Sequence, residues 1–161
     1  MKLFLTVCAM VLACVLAVGS AYAGEIEVSE APRVYLGDGG LEVTVVPLLP
    51  AGSGKVLIQV RSEGTVLDGL VVMHDVVNTG QDRYAFQTSL RGKKFWTLTS
   101  RMSAGKPMLA VFLPEAVTHP RRVVFHAERS KAVDTQALLA AFHAGSPELA
   151  TLTSSGKAPS F

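Results

Sequence analysis

The stretch 82–102 (DRYAFQTSLRGKKFWTLTSRM) constrains the fold of this chain most, because it has the pattern of a β-hairpin. Two runs rich in Tyr, Phe, Thr and Trp alternate in polarity on either side of a basic turn that contains Gly92. Side chains of a strand alternate with period two, so Trp96 and Leu98 share one face. The apolar faces of the two strands lie on the same side of the hairpin only if the turn between them has an odd number of residues, such as 92–94. We therefore expect an odd-length turn, a positive φ at Gly92 and a buried Trp96.

The rest of the chain contains further strand-like runs at short spacing. About eight strands separated by turns rich in Gly and Pro are typical of a sandwich or barrel. The sequence therefore predicts a mainly β fold: an antiparallel β-sandwich, Greek-key-like or barrel-like, without an internal repeat. Apart from the hairpin, the clearest runs are 41–49, 56–60, 70–77, 108–113 and 122–128.

The periodicity changes from strand-like to helical near the C-terminus. Asp134 is a good N-cap for a helix near 134–144, and Ser146 followed by Pro147 predicts a second helix near 147–152. We expect this short helical pair to pack on the sheet. The predicted organisation is a single β-rich domain over 24–153 and a disordered tail over 154–161.

The first 23 residues have the composition of a secretory signal peptide. Lys2 is a short positive region, 3–18 is an apolar run, and Ala21-Tyr22-Ala23 is a small-x-small cleavage site. Cleavage after Ala23 would place the mature chain in the periplasm or outside the cell. A membrane-spanning helix fits less well, because the apolar run is short and no stop-transfer charges follow it. We expect no stable membrane span after cleavage.

Both cysteines of the chain, Cys8 and Cys14, lie within this segment. The mature chain is then free of cysteine and has neither a disulfide nor a thiolate metal ligand. Small exported eukaryotic domains often depend on disulfides, so a cysteine-free exported domain favours a bacterial origin. A lipid-anchored form that begins at Cys14 is the alternative, although Leu12 fits a lipid-attachment motif poorly.

Charge and composition exclude some classes of partner. Hydrophobic residues make up 49% and charged residues 17% of the chain, which is typical of a folded domain. The formal net charge is +2, or +1 without Lys2, so we expect no nucleic-acid partner. No cofactor motif is complete, since Gly52-Ser53-Gly54-Lys55 lacks the upstream Gly and the Ser or Thr that a phosphate-binding loop needs.

The turn of the hairpin carries a basic-aromatic cluster, which we take as the first candidate binding site. A site of this composition can hold an anionic polymer, a lipid headgroup or the acidic face of a protein. The alternative is that the cations keep the hairpin soluble and protect its strand edges from pairing. The cluster consists of Arg91, Lys93, Lys94, Phe95 and Trp96.

A metal site is the second hypothesis, because His and Met are soft ligands suited to copper. Its candidate ligands are His74, Met73 and His126. Alternation along a strand would separate Met73 from His74, which counts against this site. For His74 the alternative is a histidine hydrogen-bonded within the sheet.

No nucleophile elbow or zinc-protease motif is present, so no catalytic residue is assigned. The first hypothesis is thus an exported, non-catalytic module that binds a protein or a polymer of the cell envelope. The alternative is a periplasmic carrier of a small ligand or of copper, and the third is a small periplasmic hydrolase.

Overall fold

The computed structural model of the chain describes residues 26–145, and within them nine strands, two α-helices and one short 3-10 helix. The strands arise where apolar residues alternate or run continuously, and the turns where Gly or Pro interrupts them. The 3-10 helix is Pro114–Ala116. The strands are β1 (Glu27–Val28), β2 (Arg33–Gly37), β3 (Glu42–Leu49), β4 (Lys55–Arg61), β5 (Val71–Gly80), β6 (Arg83–Leu90), β7 (Lys93–Ser103), β8 (Lys106–Val111) and β9 (Arg121–Phe125), and the helices are α1 (Ala127–Lys131) and α2 (Thr135–Ala144).

Strands β2 to β9 form one closed, barrel-like antiparallel sheet. Each pairs with its neighbour in the chain, and β9 returns to pair with β2 through Tyr35 and Phe125. The short β1 extends the sheet beside the end of β3, where Val28 pairs with Leu48. The prediction of a mainly antiparallel β fold with short C-terminal helices is confirmed, and the sheet takes the barrel-like form.

The main core fills the inside of the closed sheet. Inward-facing residues such as Val43, Ile58 and Leu98 are at most 1% exposed. At one end, which we call the closed end, Leu67 and Leu113 from the connecting loops join this core. Burial of these side chains supplies the hydrophobic driving force for closure.

The other end, the open end, carries the short turns 81–82 and 104–105. Inward-facing side chains near it are only half covered: Tyr84 is 43%, Met102 46% and Phe125 52% exposed. The open end therefore presents aromatic and apolar surface to solvent.

The two helices pack outside the sheet, mainly on β1, β2 and β5. Leu138, Leu139 and Phe142 of α2 contact a second apolar cluster that includes Val46 and Leu57. The outer face of β6, β7 and β8 lies away from these contacts and remains accessible.

The helix predicted over 134–144 is confirmed, and the Asp134 side chain caps it by accepting the Ala137 N–H at 2.9 Å. The strand predicted over 122–128 is too long. It ends at Phe125 because His126 starts α1, its Nδ1 accepting the Arg129 N–H at 3.2 Å. No helix of the described part is both long and apolar enough to cross a membrane.

Three other predictions fall outside the described residues: the signal peptide 1–23, the helix near 147–152 and the tail 154–161.

The odd-length turn predicted for the central hairpin is wrong. Leu90 pairs with Lys93, so the turn has two residues, Arg91 and Gly92, with φ of 52° and 71°. Two positive φ values in a two-residue loop are the geometry of a type I′ turn. The positive φ expected at Gly92 is confirmed.

A β-bulge at Thr97 explains why an even turn is possible. Gln87 pairs with Trp96, whereas Phe86 pairs with Leu98, so Thr97 is an extra residue on β7. The extra residue restores Leu98 to the core at 0% exposure and leaves Trp96 on the outer face at 49% exposure. The predicted burial of Trp96 is therefore wrong.

Candidate functional site

The basic-aromatic cluster predicted from the sequence is divided by the structure. Arg91, Lys93 and Lys94 are exposed together at the closed end of the sheet. Phe95 is half-buried and packs against the main core, whereas Trp96 lies outside and its Nε1 donates to Gln87 Oε1 at 3.3 Å. The three cations thus lie together at the tip of the hairpin, whereas Phe95 contributes to the packing of the core.

The three candidate metal ligands are not brought together. Met73 packs in the outer cluster under α2, His74 lies inside the closed sheet, and the His126 ring caps α1. Over residues 26–145 no group of three or more His, Cys, Asp or Glu side chains is arranged to hold a metal ion. The geometry therefore does not support the copper hypothesis.

His74 is instead part of a buried hydrogen-bonded chain. Its Nδ1 lies 2.9 Å from Val72 O, and a carbonyl only accepts, so Nδ1 carries the proton. Its Nε2 then accepts the Thr97 hydroxyl at 2.7 Å. Burial lowers the pKa of His74 to about 4, although the Val72 carbonyl and Asp75 act in the opposite direction. Both nitrogens of the neutral ring are hydrogen-bonded, so His74 has a structural role in the core.

The structure reveals a site that sequence reasoning missed, on the outer face of β6 to β9. Arg83 of β6 stands directly opposite Arg101 of β7, and Arg122 of β9 points to the same side of the sheet. A groove of about 480 Å³ runs between the three side chains. We call Arg83, Arg101 and Arg122 the arginine face.

The arginine face concentrates three positive charges, and its arginines form no ion pair within the described residues. Ion pairs in the described part of the chain involve Lys55, Arg61, Arg129 and Lys131, and none includes an arginine of this face. Like charges directly opposite each other on neighbouring strands destabilise a sheet. The fold therefore gains nothing from placing Arg83 against Arg101, which suggests a role in binding.

A row of small side chains forms the floor beside the arginine face. Ala85, Thr99 and Ala110 are directly paired across β6, β7 and β8. On β7 the outer face carries Trp96 on one side of this row and Arg101 on the other. The row forms a shallow furrow over β6 to β8, with Trp96 on one side and Arg83 and Arg101 on the other. Arg122 pairs with Ala110 and stands at the β9 end of the furrow.

Each arginine of this face occupies a polar position in a run of alternating apolar and polar residues, and this alternation is visible in the sequence. Such a position is also the ordinary place for a solvated charge. The register of β6, β7 and β9 is needed to show that the three charges converge.

The chain matches no known family model, no curated protein and no solved structure. Inference about its function therefore rests on its own residues. The outer face of β6 to β9 combines the charge of the arginine face, an accessible groove and the exposed ring of Trp96.

Proposed function

We propose that this protein is an exported, non-catalytic module that binds an anionic polymer of the cell envelope on the outer face of β6 to β9. The observation that carries the proposal is the direct cross-strand pairing of Arg83 with Arg101, neither of which forms an ion pair among the described residues. Anionic groups on a ligand would supply the missing countercharge.

The residue type supports recognition of carboxylate, phosphate or sulfate groups. The guanidinium group is planar and permanently charged, and it holds such oxygens through two parallel hydrogen bonds. Neighbouring strands lie about 4.8 Å apart, so the arginine face distributes its charge over roughly 15 Å from β6 to β9. A spread of this length suits repeated anionic groups better than a single ion.

The furrow supports a chain-like ligand. Its floor is made of small side chains, which lets an extended molecule lie close to the sheet. Trp96 offers a large aromatic face, 49% exposed, on which the apolar side of a sugar ring can stack. A polysaccharide with acidic substituents fits both features.

A non-catalytic role is supported by the position of the titratable groups. His74 has a pKa shifted by burial, the kind of shift that marks catalytic groups, but its side chain is 2% exposed inside the sheet. It cannot reach a ligand on the outer face. Export is supported by the signal-like composition of residues 1–23.

The test is binding of the purified protein to polygalacturonate, with neutral dextran as the matched uncharged polymer. We expect polygalacturonate to bind and dextran not to bind, and affinity to fall as salt rises, because exposed charges are screened. A variant with Arg83, Arg101 and Arg122 replaced by Gln should bind about tenfold more weakly or worse.

The control variant replaces Arg91, Lys93 and Lys94 by Gln and so removes the same number of charges at the closed end. We expect it to bind nearly as well as the parent protein. If this control loses binding and the arginine-face variant keeps it, the site lies at the hairpin tip and the proposed surface is wrong. Binding of dextran as tightly as polygalacturonate would also contradict an anion-binding role.

A further inference from the structure

The ladder between β8 and β9 stops before either strand reaches the open end. Its last pair is Leu109 with Val123, although β8 begins at Lys106 and β9 continues to Phe125. Two residues further, Pro107 would have to pair with Phe125. The two strands therefore have the length to continue pairing but do not.

Pro107 gives the physical reason for this separation. The N–H of Phe112, directly after β8, donates to Thr97 O at 2.9 Å, so even-numbered residues of this segment direct their N–H groups toward β7. The backbone N–H and C=O groups of odd-numbered residues point toward β9, and Pro107 is one of these residues. Proline has no N–H to donate, so the ladder cannot continue past it.

Where the strands separate, a cleft of about 570 Å³ opens into the wall of the sheet. We call it the β8–β9 cleft. Its volume lies within the range of roughly 300–1,000 Å³ found for small-molecule sites. Its apolar wall includes Tyr35, Pro107, Leu109, Val123 and Phe125.

The aromatic pair gives this wall its shape. The Tyr35 and Phe125 rings pack edge to face with centroids 5.8 Å apart, and Tyr35 is buried at 7% exposure. Phe125 is 52% exposed beside the cleft, which is a large exposure for an aromatic residue of a strand. An apolar ligand in the cleft would cover this ring and gain hydrophobic burial.

The charged groups of the cleft are all positive. Arg33 and Arg122 line it, and no Asp or Glu is among its lining residues. In the part of the chain that the structure describes, Arg33 forms no ion pair. The Ser103 hydroxyl, also at the lining, can donate a further hydrogen bond to an anion.

From this combination we infer that the β8–β9 cleft binds a single-chain amphiphile with an anionic head, of the alkyl carboxylate class. The alkyl chain lies against Phe125 and Leu109, and the carboxylate contacts the Arg33 guanidinium. This inference is independent of polymer binding by the arginine face, which borders the cleft at Arg122.

The test is calorimetric titration of the purified protein with dodecanoate below its micelle concentration, beside its uncharged methyl ester. We expect dodecanoate to bind and the ester to bind about tenfold more weakly, because the ester lacks the charge that pairs with Arg33. Arg33→Gln should weaken dodecanoate about tenfold and leave the ester unchanged. Arg91→Gln, which removes the same charge at the closed end, should change neither.

A second variant tests the apolar wall. Phe125→Ala should weaken dodecanoate and the ester by the same factor, provided that circular dichroism shows a folded sheet. Absence of dodecanoate binding to the parent protein would overturn the inference, as would equal effects of Arg33→Gln and Arg91→Gln. A third outcome would also contradict binding in the cleft. If a variant with both Arg83→Gln and Arg101→Gln loses dodecanoate binding while Arg33→Gln retains it, the amphiphile binds to the arginine face instead.

Discussion

His74 Nε2 accepts a hydrogen bond from Thr97 Oγ1 at 2.7 Å inside the closed sheet, and Thr97 is the extra residue of the β7 bulge. The bulge brings Leu98 into the core, but it also turns a hydroxyl group into an apolar interior. A buried hydroxyl without a partner is costly, and His74 supplies that partner. The histidine on β5 therefore stabilises the backbone irregularity on β7.

Removing the hydroxyl group at the bulge should destabilise the protein. Thr97→Val keeps the volume of the side chain but leaves His74 Nε2 without a donor, which should lower the free energy of unfolding by about 1–3 kcal/mol. Urea denaturation measures the change. Thr99→Val, on the outer face of the same strand, is the control and should change stability by less than about 0.5 kcal/mol. Equal effects of the two substitutions would show that the hydrogen bond contributes nothing.

His74 should make the protein less stable in mild acid. Burial lowers its pKa from 6.5 to about 4, so between these pH values the unfolded chain binds a proton that the folded chain does not. The free energy of unfolding therefore falls as the pH drops from 6.5 toward 4, by up to about 3 kcal/mol. Urea denaturation across this pH range measures the fall.

Other groups titrate over the same range, so the comparison requires variants. His74→Gln should show a shallower fall in unfolding free energy than the parent protein. His119→Gln, which changes an exposed histidine in the loop before β9, should follow the parent. A fall of the same steepness in His74→Gln would rule out His74 as its cause.

Trp96 and Leu98 should differ sharply in their contribution to stability, although only Thr97 lies between them. Leu98 is 0% exposed, so Leu98→Ala should cost about 2–5 kcal/mol. Trp96 is half exposed on the outer face, so Trp96→Ala should cost no more than about 1.5 kcal/mol. Chemical denaturation measures both values, and a larger cost for Trp96→Ala would place the indole in the core.

Reversing one charge of the arginine face should stabilise the fold while it weakens binding. Arg101→Glu converts a like-charge pair with Arg83 into an opposite-charge pair, which should raise the free energy of unfolding by about 0.2–1 kcal/mol at low salt. Binding of polygalacturonate should decrease in the same variant. Lys94→Glu, opposite the uncharged Ser89, is the control, and a gain as large in this variant would mean that the pairing is not its source.

The candidate sites differ in how far the sequence could reveal them. The cations of the hairpin tip lie within four residues of each other, so local inspection finds them. The arginine face combines residues of β6, β7 and β9, and only the register brings Arg83 opposite Arg101. The β8–β9 cleft depends on the direction of the missing N–H of Pro107, which no local pattern reveals.

The sequence by itself determined the alternating strands and the helix α2 with its Asp134 cap. It also determined the separation of Met73 from His74 on opposite faces of β5. These features follow from backbone periodicity and from contacts between near neighbours in the chain. Only the tertiary structure decided the bulge at Thr97, the exposure of Trp96 and the closure of β9 onto β2. Contacts between residues far apart in the chain stabilise those features. The register of a strand is set by how well its inward side chains pack in the core that all strands share, and a local pattern does not contain that information.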